Sequence, residues 1–173
     1  MWSYLLTVVV SALMGAALAW LFMSQRSTSP ISATQPTVAV NAPSPDVSGM
    51  SAGEAAVTLG NFAYDHQRWA EAIRHYQEAM ASGIDNPDVH TDLGNAFRFS
   101  GQPQQALTQY EIGQRLNPQH ENSLFNQISL FTETLNQPAR AIPICEEFMR
   151  RFPNSDKLPT VREQLERAKT VGR

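Results

Sequence analysis

The chain has 173 residues, with 13 Lys or Arg against 16 Asp or Glu and a formal net charge of −3. That balance argues against a nucleic-acid-binding face, which needs a basic surface. The single cysteine, Cys145, excludes an intrachain disulfide, a Cys-x-x-Cys redox pair, a Cys-rich zinc site and a covalent haem attachment. Charge is also unevenly placed: there is no charged side chain before Arg26, and residues 27–53 contain only Asp46. The pattern is an apolar leader, a polar spacer and a charged domain over 53–173, large enough for its own core.

Residues 2–23 are apolar except for Ser3, Thr7, Ser11 and Gly15. As a helix they would span about 33 Å, against a bilayer core of about 30 Å. Trp2 and Tyr4 stand at one end and Trp20 at the other, where aromatic belts form. Ala17-Leu18-Ala19 has the small-x-small form of a signal-peptidase site, but no basic side chain precedes the apolar run, so an uncleaved transmembrane anchor is expected. Ser11, Gly15 and Ala19 recur every four residues, a stripe on which two membrane helices could pack closely. Arg26 taken alone would keep the domain cytoplasmic. The lack of any further Lys or Arg over residues 27–53 leans the other way, towards a periplasmic domain. Residues 24–52 are rich in Ser, Thr, Ala and Val, broken by Pro30, Pro36, Pro43 and Pro45, and have no sustained periodicity; a disordered tether is expected.

Self-similarity then sets the fold. Leu59-Gly60-Asn61 returns as Leu93-Gly94-Asn95, and Ala72 with Tyr76 returns as Ala106 with Tyr110, each 34 residues on. A third copy carries Ala141 and Cys145 at a step of 35, and Pro118 and Pro153 close the second and third copies. Each copy reads as two amphipathic helices, with turns at Gln67-Arg68, Gly101-Gln102 and Asn136-Gln137. Gly60 and Gly94, with Ala72, Ala79 and Ala106, leave room for close helix contact. Asn86-Pro87 and Gln102-Pro103 read as helix starts. A further amphipathic segment over 157–171, with Leu158, Val161, Leu165 and Ala168 on one face, reads as a capping helix.

This period, with Leu-Gly, Ala-x-x-x-aromatic and a closing proline, resembles the tetratricopeptide repeat (TPR) pattern over residues 53–154. The resemblance implies an all-α right-handed superhelix of three helix pairs (53–86, 87–120, 121–154) plus the cap. The third copy departs most. It has Gln127-Ile128 in place of Leu-Gly, one extra residue near Leu135, and Pro143 inside its second helix, where a kink is expected. The large aromatic expected early in each copy is Ala56, His90 and Leu124.

His66, His75, His90 and His120 lack metal-pair or catalytic spacing and read as surface or helix-end residues, with His90 nearest the groove. There is no phosphate loop, paired-acid motif or nucleophile elbow, so neither an enzyme nor a cofactor, metal or small-molecule substrate is expected. What the resemblance implies is protein binding in a concave groove lined by the first helix of each copy. Asn61, Asn95 and Ser129 would form a polar ladder there, the asparagines bonding the backbone of an extended peptide. Val57, Tyr64, Asp65, Asp92, Arg98, Phe99, Phe125 and Asn126 would lie beside them. TPR domains that grip chaperone C-terminal carboxylates carry a Lys and Arg cluster; the matching positions here hold Val57, Asn61, Thr91 and Asp92, so that mode is not expected. Anchor, spacer and small repeat domain in that order also resemble the membrane-tethered TPR components of bacterial c-type cytochrome maturation. The expectation is a membrane-anchored adaptor for a peptide segment. The alternative is a scaffold subunit assembling through Ser11, Gly15, Ala19 and the repeats.

Overall fold

A computed structural model of the protein describes residues 43–171, which belong to one compact unit. The apolar stretch 2–23, with Ser11, Gly15 and Ala19, and the spacer up to residue 42 lie outside the described residues. Among those described, no helix is long and apolar enough to cross a membrane. They contain seven α-helices and no strand: α1 (Ala52–Asp65), α2 (Trp69–Ala81), α3 (Pro87–Phe99), α4 (Pro103–Leu116), α5 (Glu121–Ser129), α6 (Pro138–Arg151) and α7 (Leu158–Val171).

The helix starts follow local chemistry. Ser51 and Glu54 form a capping box: the Glu54 amide donates to Ser51 Oγ at 3.3 Å and the Ser51 amide to Glu54 Oε2 at 3.0 Å. Asn86 Oδ1 accepts from the Val89 amide at 3.0 Å, with Pro87 in the first turn where no amide is needed. Gln102 and Gln137 make no side-chain cap, and their helices begin on Pro103 and Pro138. The turn within each pair needs one residue in the left-handed region, supplied by Gln67 (φ 57°), Gly101 (φ 79°) and Asn136 (φ 49°).

In the first two pairs the helices meet on a glycine. A Cβ on Gly60 would lie 2.7 Å from the Tyr76 ring, and one on Gly94 would lie 2.5 Å from the Tyr110 ring. Both tyrosines are fully buried, flanked by Ala72 and Ala79 or by Ala106. In the third pair the bulk moves across the interface. Ile128 occupies the glycine position and Cys145 the tyrosine position, both fully buried in one cluster with Phe131, Ala141 and Phe148. A large-small pair fills the space in either orientation, which is why the third copy lost both signature residues together.

The extra residue of the third copy is absorbed by a π-helical stretch, Leu130–Thr134, continuing α5. The Leu135 amide reaches back to the Leu130 carbonyl at 2.9 Å and the Gln137 amide to the Phe131 carbonyl at 2.8 Å. α6 runs without a break through Pro143, which is exposed, as is Ala139, whose carbonyl loses its helical partner there. α7 buries Leu158, Val161, Leu165 and Ala168 and covers the third pair. Leu107 and Leu135 pack against both the first and the second core cluster, so the core is continuous from α1 to α7.

Candidate functional site

Each helix packs on its neighbour in sequence. The first helices of successive pairs also touch one another (α1 on α3, α3 on α5, α5 on α7). That side is therefore the inner face of the stack, and it carries the expected groove residues.

Asn61 is exposed on α1, and its Oδ1 accepts from the Tyr76 hydroxyl at 2.8 Å. Asn95 repeats the arrangement with the Tyr110 hydroxyl, also at 2.8 Å, and its Oδ1 takes a second bond from Asn126 Nδ2 at 2.9 Å. The phenol that fills the glycine notch thus also orients the next residue's amide, leaving its NH2 group turned to the inner face. Burial holds the ionisation of both phenols well above the usual tyrosine range, so they remain donors.

The ladder has two rungs, not three. Ser129 is buried, 6% exposed, at the end of α5, and the phenol that would orient a third rung is replaced by Cys145. Arg98 is not a free cation either. Its Nη2 donates to Glu133 Oε2 and its Nε to Thr134 Oγ1, both at 2.8 Å, and its side chain is 14% exposed. Both partners lie in the π-helical stretch, whose position the repeat pattern does not anticipate. Val57 and Phe125 are half-buried against the first and second clusters and act mainly in packing; the Phe125 ring is 6.1 Å from that of Phe148.

Tyr64 and Phe99 come together around Trp69, a residue the repeat pattern did not single out. Trp69 stacks on Phe99 with centroids 5.2 Å apart and planes at 24°, and Tyr64 meets both edge-on, at 5.2 and 6.1 Å. Phe99 keeps 51% of its surface in solvent. Asp65 is exposed at the end of α1. Asp92, half-buried on α3, has no hydrogen-bond or ion-pair partner among the described residues. Burial is the main cause raising its carboxyl to about 6; Asp88 adds to the shift and His120 opposes it. Its charge adds to the burial that raises the hydroxyls of Tyr64, Tyr76 and Tyr110.

No protein-family model matches the sequence, and no curated protein matches it. Solved structures do. The TPR domain of Arabidopsis OM64 superposes with a TM-score of 0.61 at 20% identity, covering 70% of this chain and 97% of that one. The TPR2B domain of yeast Sti1, in a complex with pHsp70, gives 0.63 at 12% identity, covering 68% and 96%. The second TPR domain of human RPAP3, in complex with an HSP70 peptide, gives 0.56 at 15%, covering 68% and 98%. The described domain has the TPR fold.

His66 and His120 stand at helix ends as expected, closing α1 and opening α5, whereas His75 and His90 are buried joints. His90 is buried, with Nε2 2.6 Å from Asp85 Oδ1 and Nδ1 2.6 Å from Gln109 Oε1, so it ties the loop before α3 to α4 and does not reach the groove. His75 is buried between Glu71 and Glu78. His120 bridges Asp88 (2.9 Å) and Ser123 Oγ (2.6 Å). The Asp-His-Ser order resembles a hydrolase triad, but Ser123 is fully buried and bonded to Thr91 at 2.7 Å, out of reach of any substrate. Cys145 is buried, its thiol pushed up to about 11 by that burial, and is a packing residue without nucleophilic character. Among the described residues no group of His, Cys, Asp and Glu is placed to hold a metal ion.

Proposed function

We propose that this chain is a peptide-binding adaptor. The inner face of its first two repeats takes an extended segment of a partner protein, and residues 2–23 hold it at a membrane. The observation that carries the reading is the duplicated tyrosine–asparagine bond, which presents two pre-oriented amide donors at one repeat's spacing on the inner face. Fixed donors of this kind suit the carbonyls of an extended backbone, because little side-chain freedom is lost on binding. Two of the similar domains were solved with Hsp70 segments, which supports peptide binding as the use of this fold. The partner here is of a different kind from a chaperone C-terminus. The face offers no free Lys or Arg to meet a carboxylate: Arg98 is engaged by Glu133, and Asp92 would repel an anion.

The finer reading places the domain outside the cytoplasm, serving envelope assembly such as the maturation of c-type cytochromes. What supports it is the order of anchor, spacer and small TPR domain, and the absence of Lys and Arg from residues 27–53. The experiment is binding of the full-length chain to a pool of ten-residue peptides of randomised sequence. The Asn61→Ala/Asn95→Ala double variant is expected to lose most binding, while Arg74→Ala on the exposed side of α2 leaves it intact. Normal binding by the double variant, with an unchanged melting profile, would sink the groove reading. A compartment-sensitive reporter fused after Arg173 tests the topology, and a cytoplasmic signal removes the cytochrome role.

A further inference from the structure

The three inner helices α1, α3 and α5, with the π-helical continuation, contain six acidic side chains and a single Lys or Arg, Arg98. Four of the six acids are already satisfied. Glu54 caps α1, Asp88 meets His120, Glu121 meets Lys157 at 2.7 Å, and Glu133 takes Arg98. Asp65 and Asp92 are left without a partner among the described residues, and Asp92 is half-buried. A carboxylate drawn out of water with no donor raises the free energy of the empty face, and a cation placed on it recovers that cost. Asp92, Asn95 and Phe99 follow one another at steps of three and four on α3, and therefore share a face with the amide rung and the exposed aromatic ring. Tyr64 stands edge-on to the Trp69–Phe99 stack, and burial first and then the Asp92 charge hold its phenol above the usual range. Carboxylate and aromatic faces side by side are the surroundings in which a guanidinium or ammonium is held by charge and by the ring quadrupole together.

We propose that the inner face selects peptide segments containing an arginine or lysine, its cation seated on Asp92 beside Tyr64, with Asp65 and the Trp69–Phe99 stack flanking it. This rests on the groove reading above and adds the chemistry of the segment. Selection comes from the side chain, while the asparagine rungs act on the backbone and are indifferent to sequence.

The test uses the full-length chain and three fluorescent pools of ten-residue peptides. Their flanks are randomised, and the central residue is arginine, its neutral isostere citrulline, or glutamate. The arginine pool is expected to bind about tenfold more tightly than the citrulline pool, the usual scale for one charge-assisted bond in a half-buried site, and the glutamate pool more weakly than either. Asp92→Asn should erase most of that gap and leave citrulline binding within about twofold. Asp156→Asn, at an outer acid whose side chain is 91% exposed, should leave the gap intact. Equal binding of arginine and citrulline, or a gap that survives Asp92→Asn, overturns the proposal. If the Asn61→Ala/Asn95→Ala variant still weakens every pool in that case, the groove reading survives alone. If no pool binds at all, both fall.

Discussion

The first two repeats and the third solve one packing problem in opposite ways. In the first two, a glycine on the inner helix accepts a tyrosine from the outer one. In the third, Ile128 projects outward over the small Cys145. Packing density is served equally well by either, but only the tyrosine version has a hydroxyl left over. That hydroxyl orients an asparagine on the inner face, so the paired amides stop where the tyrosines stop, and Ser129 is buried. Core and the proposed recognition face therefore share one device in two repeats, whereas the third repeat has core alone.

The strongest way to break this contrast is to force one solution onto the other. Cys145→Tyr places a phenol against Ile128 in a site without a void, and is expected to cost at least about 3 kcal/mol, with partial recovery in Cys145→Tyr/Ile128→Gly. Chemical denaturation of the single and double variants measures the coupling, and simple additivity would refute the volume exchange. Gly94→Ala acts on the same contact from the other side. Its Cβ would lie 2.5 Å from the Tyr110 ring, and about 2 kcal/mol of net loss is expected even after the helix-propensity gain of alanine. Because the ring must move, the Asn95 bond should break too, and peptide binding should fall with stability.

Asp92 sharpens the contrast from the recognition side. Its carboxyl is raised to about 6 in the folded chain against an ordinary value of 3.8, so the folded state binds the extra proton. Stability attributable to this group is full at low pH, is lost as pH rises from about 4 through about 6, and stays lost at neutrality. Asp92→Asn should accordingly raise stability at pH 7 by about 1–2 kcal/mol, a few degrees in melting temperature, and make no difference below about pH 4. A variant destabilised at pH 7 would show that Asp92 already has a partner. The smallest effect is expected at the turns. Gln67 adopts φ 57° where the second repeat has Gly101 at φ 79°, and Gln67→Gly should stabilise by about 0.5 kcal/mol, the relief of strain offset in part by unfolded-chain entropy. A thermal melt decides its sign.

The elements that repeat at a constant step were legible in the sequence, because Gly60, Tyr76 and Asn61 return as Gly94, Tyr110 and Asn95 in the same register. Even so, the bond between tyrosine and asparagine spans 15 residues and joins two positions that the repeat pattern treats separately. The remainder depends on contacts with no period. Trp69 joins Phe99 across 30 residues. Arg98 is tied down by Glu133 and Thr134, which reach it only through the π-helical stretch. His90 and His120 are polar by type, and their anchoring follows from partners in other helices, Gln109 and Asp88 among them, which no local pattern announces.

The π-helical stretch has a consequence for how such a chain tolerates change in length. The added residue widens one turn of α5 and then vanishes from the register, so that Asn136 still makes the turn and Ala141 still meets the core as Ala72 and Ala106 do. An insertion is thereby converted from a frame error in the stack into a local bulge, and it is that bulge which carries the two groups that hold Arg98. Lengthening one helix by a single position thus supplied a latch between the second and third repeats while everything downstream kept its phase.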